Sequence, residues 1–342
     1  MYYWGFVPEE NSMYQDLKKN SSYPKTLTVL AVLAAVLSFG CLLLGYIFLP
    51  FAAAAYAALL SYENKSRRIV SYILPVVVFT VNIFLNGFFS AEGVAYLAVG
   101  ILIYYLYSKN VSKNELSVWL TVLISLFLIL SMILVGFSEN NSVNLSAFVD
   151  FYRGLYSSLK QVFIEVVSGM YVPDDKGVLY FVFTREDAEI MFHSFLSLLP
   201  SFVIIFAFLL AGASLKFYSI FEKRFDYDSY NDKKRFFLPT KFLSYAYIVF
   251  AVLNLFVTGG AGIISSVIGN VYYVLLAVFL YVGLKFSYNL IVKARTPFFA
   301  ICVFVVAFMF FGMTAISLLS FIGVYFSIFA NREPKENEPK NL

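Results

Sequence analysis

The chain has 342 residues, 61% of them hydrophobic and only 13% charged. Soluble domains run near 45–50% apolar and about 25% charged, so this composition excludes a water-soluble globule and makes lipid the solvent for much of the chain. A formal charge of +4, with basic residues gathered at the ends of apolar runs, calls for no nucleic-acid partner.

The first segment, residues 1–26, mixes aromatic and charged side chains and reads as a cytoplasmic arm with no cleavable signal peptide. A spanning helix needs roughly 20 apolar residues. The apolar run Leu27–Leu60 is too long for one, and Gly45 and Pro50 split it into a hairpin closed by Lys65, Arg67 and Arg68. Ile69–Phe89 is a third helix. Asn86, Gly87 and Gly93 mark the turn into a fourth, which ends near Ser108, and Leu116–Phe137 is a fifth.

Residues 138–190 are polar and acidic. Within them Phe148, Tyr152, Leu155, Leu159, Val162 and Val166 fall at helical spacing, opposite Asp150, Arg153, Ser157, Lys160 and Glu165. This is an amphipathic helix expected to lie on the outer leaflet or across the mouth of the bundle. Residues 173–177 form a turn, and Val178–Phe183 is a short β-prone stretch. Thr184 and Asp187 have the spacing of a capping box, and the helix they open enters the membrane from Met191, kinked at Pro200.

Spanning continues to about Phe217. A charged loop over residues 216–241 comes next, then a helix Phe242–Val257, a turn at Gly259, Gly260 and Gly262, and a helix from Ile263 to about Ile291. The last apolar run ends at Ala330 and has its break at Gly312. The layout is all-α: a polytopic transmembrane bundle of ten helices, or eight to nine if a hairpin is re-entrant or interfacial. Its parts are the arm (1–26), an N-terminal bundle (27–137), the extracytoplasmic segment (138–190), a C-terminal bundle (191–330) and a cytoplasmic tail (331–342). Of the 25 Lys and Arg residues, 21 fall in loops and ends on one face of this layout. By the positive-inside rule that face is cytoplasmic, in a multi-pass protein of the cell membrane with both termini inside.

Three regions carry a resemblance. An acidic helix leads into Leu198–Ser201 and a helix with Ala211, Gly212 and Ala213; a basic loop leads through Phe236–Pro239 into the next helix; and an apolar hairpin closes on Ile328–Arg332. Together they resemble the bacterial membrane family typified by YybS, domain of unknown function 2232. The family's terminal motif often carries an Asp that Phe321–Phe329 lacks. That family is similar in turn to the substrate-binding subunits of energy-coupling-factor vitamin transporters and to the cell-shape protein MreD. The resemblance implies a bundle that docks a coupling subunit through small residues on its first helix, where Ala31 and Ala35 have the spacing. Small residues four apart also serve ordinary helix packing.

The spans hold almost no ionisable groups. Glu92 sits at an outer turn, and Lys216 and Lys285 at inner helix ends where they can snorkel. A proton-coupled pump needs a titrating group within the membrane, so that class is disfavoured. Asn82 and Asn86 share a helix face, and Asn254 and Asn270 flank the glycine turn. With Tyr96, Tyr272 and Tyr273 they are candidates for a ligand pocket, the alternative being interhelical hydrogen bonds. Lys223, Arg224, Lys233, Lys234 and Arg235 in the inner loop are candidates for docking a cytoplasmic or membrane protein, or anionic lipid. The alternative there is ordinary positive-inside charge. Cys41 and Cys302 read as small buried hydrophobes. His193 has no partners for a zinc site, no metal or other cofactor is expected, and neither a P-loop nor a metalloprotease motif is present. Two functions remain: a non-catalytic small-molecule binding and transport subunit that depends on partners for energy, or a non-catalytic membrane scaffold for envelope or sporulation machinery.

Overall fold

A computed structural model describes residues 10–62, 69–86, 91–109, 111–138, 145–168, 184–225, 239–257, 262–293 and 296–330. Among these, every regular element is a helix: α1 Glu10–Leu44, a 3-10 turn Gly45–Ile47, α2 Leu49–Tyr62, α3 Ile69–Asn86, α4 Glu92–Ser108, α5 Lys113–Ser138, α6 Leu145–Ser168, α7 Arg185–Ser197, α8 Leu199–Phe225, α9 Lys241–Val257, α10 Ile263–Lys293 and α11 Pro297–Ala330. Four segments are long and apolar enough to cross a bilayer: Thr26–Ile47, Asn114–Phe137, Leu199–Glu222 and Ile263–Lys293. Five shorter apolar helices accompany them, in α2, α3, α4, α9 and the second half of α11.

Two breaks fall where glycine permits them. Gly45 has φ 65° and ends α1, and Gly312, at φ 42° and ψ −113°, divides α11. Side chains with a Cβ rarely adopt such angles. Three other boundaries differ from expectation. α1 begins at Glu10, inside the arm rather than after it. Gly93 belongs to the first turn of α4 rather than to a turn before it. The helix opened at Thr184 stops at Ser197, so spanning resumes at Leu199 and not at Met191. Pro200 accounts for the last: it has no N–H to donate and its ring clashes with the preceding turn in a helix interior, so it sits in the first turn of a new helix. The turn at 173–177, the stretch Val178–Phe183, Gly87, Gly259 and Gly260 lie outside the described residues.

The chain forms two compact units, residues 1–151 with 207–232, and residues 152–206 with 233–342. In the first, α2 is enclosed. Leu49, Pro50 and every residue from Ala52 to Leu60 are buried. Six alanines on this short helix let the backbones of its neighbours come close: a Cβ added to Gly100 on α4 would lie 2.9 Å from the Ala53 carbonyl oxygen. Leu30, Ala34, Ser38 and Cys41 form the buried stripe of α1, with Ala31 and Ala35 only partly buried beside it. Tyr218 of α8 reaches the same core, edge-on to Tyr107 at 4.7 Å and hydrogen-bonded to the Ser61 hydroxyl at 2.9 Å.

The second unit is built on α9, α10 and α11. α10 buries Gly269, Leu275, Phe279, Val282 and Gly283, and α11 buries Leu319, Ser320, Val324 and Ser327. The two helices touch backbone to backbone. A Cβ on Gly283 would lie 1.9 Å from the Leu319 carbonyl oxygen, and one on Gly323 would lie 2.1 Å from that of Phe279. α6 and α7 pack through Tyr156, Phe163 and Phe192, with both ring pairs at 5.5 Å, and through an ion pair of 3.4 Å between Lys160 and Glu189. The Thr184 box is formed. The Asp187 amide donates to the Thr184 hydroxyl at 3.1 Å, and the Thr184 amide donates to the Asp187 carboxylate at 3.0 Å.

Candidate functional site

Polar chemistry in the second unit collects in two places. The first is the break between α7 and α8, where Pro200 frees helix carbonyls that need partners in an apolar surrounding. Asn270 on α10 supplies them. Its amide nitrogen donates to the Ser197 carbonyl at 2.6 Å and to the Ser266 carbonyl at 2.8 Å, while its oxygen accepts from the Ser201 amide at 2.9 Å. The Ser266 hydroxyl adds a longer bond to Ser197 at 3.4 Å. Asn254 of α9 approaches the neighbouring backbone, its side-chain oxygen 3.9 Å from the Cβ position of Gly269. Asn270 is thus a clamp that ties α10 to a helix break, with both ends of its amide engaged.

The second place lies where α9, α10 and α11 meet. Tyr247 of α9 is fully buried. Its ring runs nearly parallel to that of Tyr272 at 6.0 Å, tilts against Phe279 at 5.3 Å and meets Phe321 edge-on at 5.7 Å. Ser320 sits beside it and donates its own proton to backbone carbonyls, Ile316 at 2.9 Å and Leu276 at 3.3 Å. The Tyr247 hydroxyl lies next to the Ser320 and Tyr272 hydroxyls without a bond of normal geometry to either, and has no hydrogen-bond partner among the described residues. Tyr273 adjoins Tyr272, their rings 5.3 Å apart. Three hydroxyls therefore converge within an aromatic wall, and that of Tyr247 is buried there without a bond of normal geometry.

The other residues singled out in the sequence fall elsewhere. Asn82 is buried in the first unit against α4; a Cβ on Gly93 would come within 2.8 Å of its amide. Asn86 ends α3, and its side chain lies outside the described set, as do those of Lys223 and Arg224; Lys233, Lys234 and Arg235 lie outside it entirely. Tyr96 is buried in the first unit, edge-on to Tyr56 at 6.2 Å. Its hydroxyl also lacks a partner among the described residues, although Ser38 is beside it. His193 is exposed and faces Tyr156 at 6.4 Å. The Lys285 ammonium sits 6.0 Å from the Tyr281 ring. Cys41 is buried as expected, but Cys302 is exposed on α11.

Tyr247, Ser320, Phe279 and Phe321 were not singled out in the sequence. Each is an ordinary member of an apolar run, and their convergence depends on how three helices cross. The serines of the clamp were missed for the same reason.

Residues 20–325 match the sequence profile of DUF2232, described as a predicted membrane protein family. The chain belongs to this family. The match covers all the spanning helices apart from the last residues of α11, so the DUF2232 region takes in most of both units and both polar places. No curated protein and no solved structure matches the chain.

Proposed function

We propose that this DUF2232 protein is a non-catalytic, membrane-embedded binding subunit for a small uncharged polar molecule, held at the Tyr247 centre and moved with energy from partner proteins. The observation that carries the proposal is the buried Tyr247 hydroxyl. A polar group buried without a partner costs about 1–3 kcal/mol, and a bound molecule offering a hydrogen-bond acceptor would offset that cost. The wall of Tyr272, Phe279 and Phe321 suits an apolar body with a polar edge. No acid lies on α9, α10 or α11, and the bases nearest the centre in sequence, Lys241 and Lys285, are each six residues off, before Tyr247 and beyond Phe279, so recognition there rests on hydrogen bonds and stacking and not on charge.

Native mass spectrometry of the protein in lipid nanodiscs tests this reading. The wild type is expected to carry a small molecule, and Tyr247→Phe to lose about tenfold in occupancy, the equivalent of one hydrogen bond. An identical small-molecule complement in both, with Tyr247→Phe more stable by about 1 kcal/mol as expected when an unpaired hydroxyl is removed, would return the centre to simple packing. Proteins recovered alongside the wild type bear on the energy source. An ATPase with a membrane coupling subunit supports transport, whereas envelope or division proteins without one support the scaffold.

A further inference from the structure

The amphipathic pair α6–α7 presents a surface independent of the Tyr247 centre. Leu155, Leu159, Val162 and Val166 are 41, 50, 58 and 52% exposed. Their spacing of four, three and four residues places them in one stripe along α6. The side of α6 that packs on α7 is a different one, carrying Tyr156, Lys160 and Phe163. The stripe is therefore left over after α6 has made its contacts with α7. Water is a poor occupant for four adjacent aliphatic side chains on one helix.

The covalent path says which other occupant is at hand. α7 ends at Ser197, one residue before the spanning helix α8, so its C-terminal end stands at the boundary of the hydrocarbon layer. Exposed apolar side chains continue across the break: Phe195 of α7 and Phe202 of α8 have rings 5.4 Å apart, and both are exposed, as are Ile204 and Phe206 further along the span. The exposed apolar surface of α8 thus meets that of α7 at Phe195 and Phe202, and α6 is fastened to α7 by the ion pair and the Phe192 cluster.

We infer that α6 lies in the plane of the leaflet bordering the start of α8, with Leu155, Leu159, Val162 and Val166 sunk among the upper acyl chains. Insertion is hydrophobic and not electrostatic. The other side of α6 carries Asp150 and Glu165 against Arg153, and Lys160 is already paired with Glu189, so no excess of positive charge exists to select anionic lipid.

The test uses the full chain in nanodiscs, with Trp4 and Trp119 replaced by Phe and a single tryptophan placed at Leu159→Trp or Val162→Trp on the stripe, or at Gln161→Trp on the polar side. Circular dichroism and gel filtration select variants that keep their helix content and homogeneity. With phosphatidylcholine brominated on the upper acyl chain, a stripe tryptophan is expected to lose about half or more of its emission, matching burial of roughly 5–10 Å, and to resist iodide. Gln161→Trp is expected to behave oppositely, and adding anionic lipid should change neither result. Iodide access at both stripe positions would overturn the inference. So would shielding of both from iodide and bromine alike, which would mean that protein covers the stripe.

Discussion

At the start of α7 the Asp187 carboxylate accepts from both the amide and the hydroxyl of Thr184, the latter at 2.6 Å. These bonds, the hydroxyl's first, hold its pKa below the ordinary aspartate value. A carboxyl whose folded pKa is depressed stabilises the folded state fully above its unfolded pKa, near 4, and loses that contribution as pH falls through the folded value. Amide exchange at Asp187 and Ala188, corrected for the intrinsic rate, should therefore accelerate as pH drops below about 4. Asp187→Asn should remove that dependence; an unchanged pH profile in the variant would show that the box does not hold this turn. This box was legible in the sequence because its partners stand three residues apart. The Asn270 clamp was not, since its partners Ser201 and Ser197 are 69 and 73 residues away and nothing local distinguishes them from other serines.

Between elements, glycines separate into two kinds that spacing alone does not tell apart. Gly283 and Gly323 are where α10 and α11 meet, and the atoms that a methyl would strike belong to backbone and cannot rotate away. Gly283→Ala is expected to cost about 3 kcal/mol or more, the upper end of overpacking by one methyl. Gly154 on α6 faces open space, so Gly154→Ala should instead stabilise by up to about 1 kcal/mol through helix propensity. Thermal unfolding of both variants in one mild detergent checks the pair; equal effects would contradict the close crossing. Helix existence was largely legible from apolar run length, and the breaks at Gly45 and Gly312 from composition. The start of α8 and the place of Gly93 were not, because the first depends on the backbone restriction imposed by Pro200 and a glycine suits a turn and the open end of a helix alike.

For the molecule as a whole, apolar composition made a multi-helix membrane protein legible. The sequence also suggests N- and C-terminal bundles, but it does not show that α8 from Ala207 onward packs with helices made much earlier in the chain. The charge pattern makes a separate claim about sidedness. With 21 of 25 basic residues on one face of the layout, both termini are expected in the cytoplasm and residues 169–183 outside. Green fluorescent protein fused at either terminus should fluoresce, and alkaline phosphatase inserted within 169–183 should be active. Active phosphatase at either terminus would reverse that assignment.

The enclosure of α2 has a consequence for how the protein is made. At 14 residues it is about 21 Å long, against a hydrocarbon layer of about 30 Å, and its many alanines give it little affinity for acyl chains. Yet α4 and the Tyr218 end of α8, which help to cover it, are synthesised after it. The ribosome therefore delivers the centre of the first unit before most of its walls. Until they arrive, α2 depends on α1 as its hairpin companion, and the unit closes only after more than half of the chain has been translated.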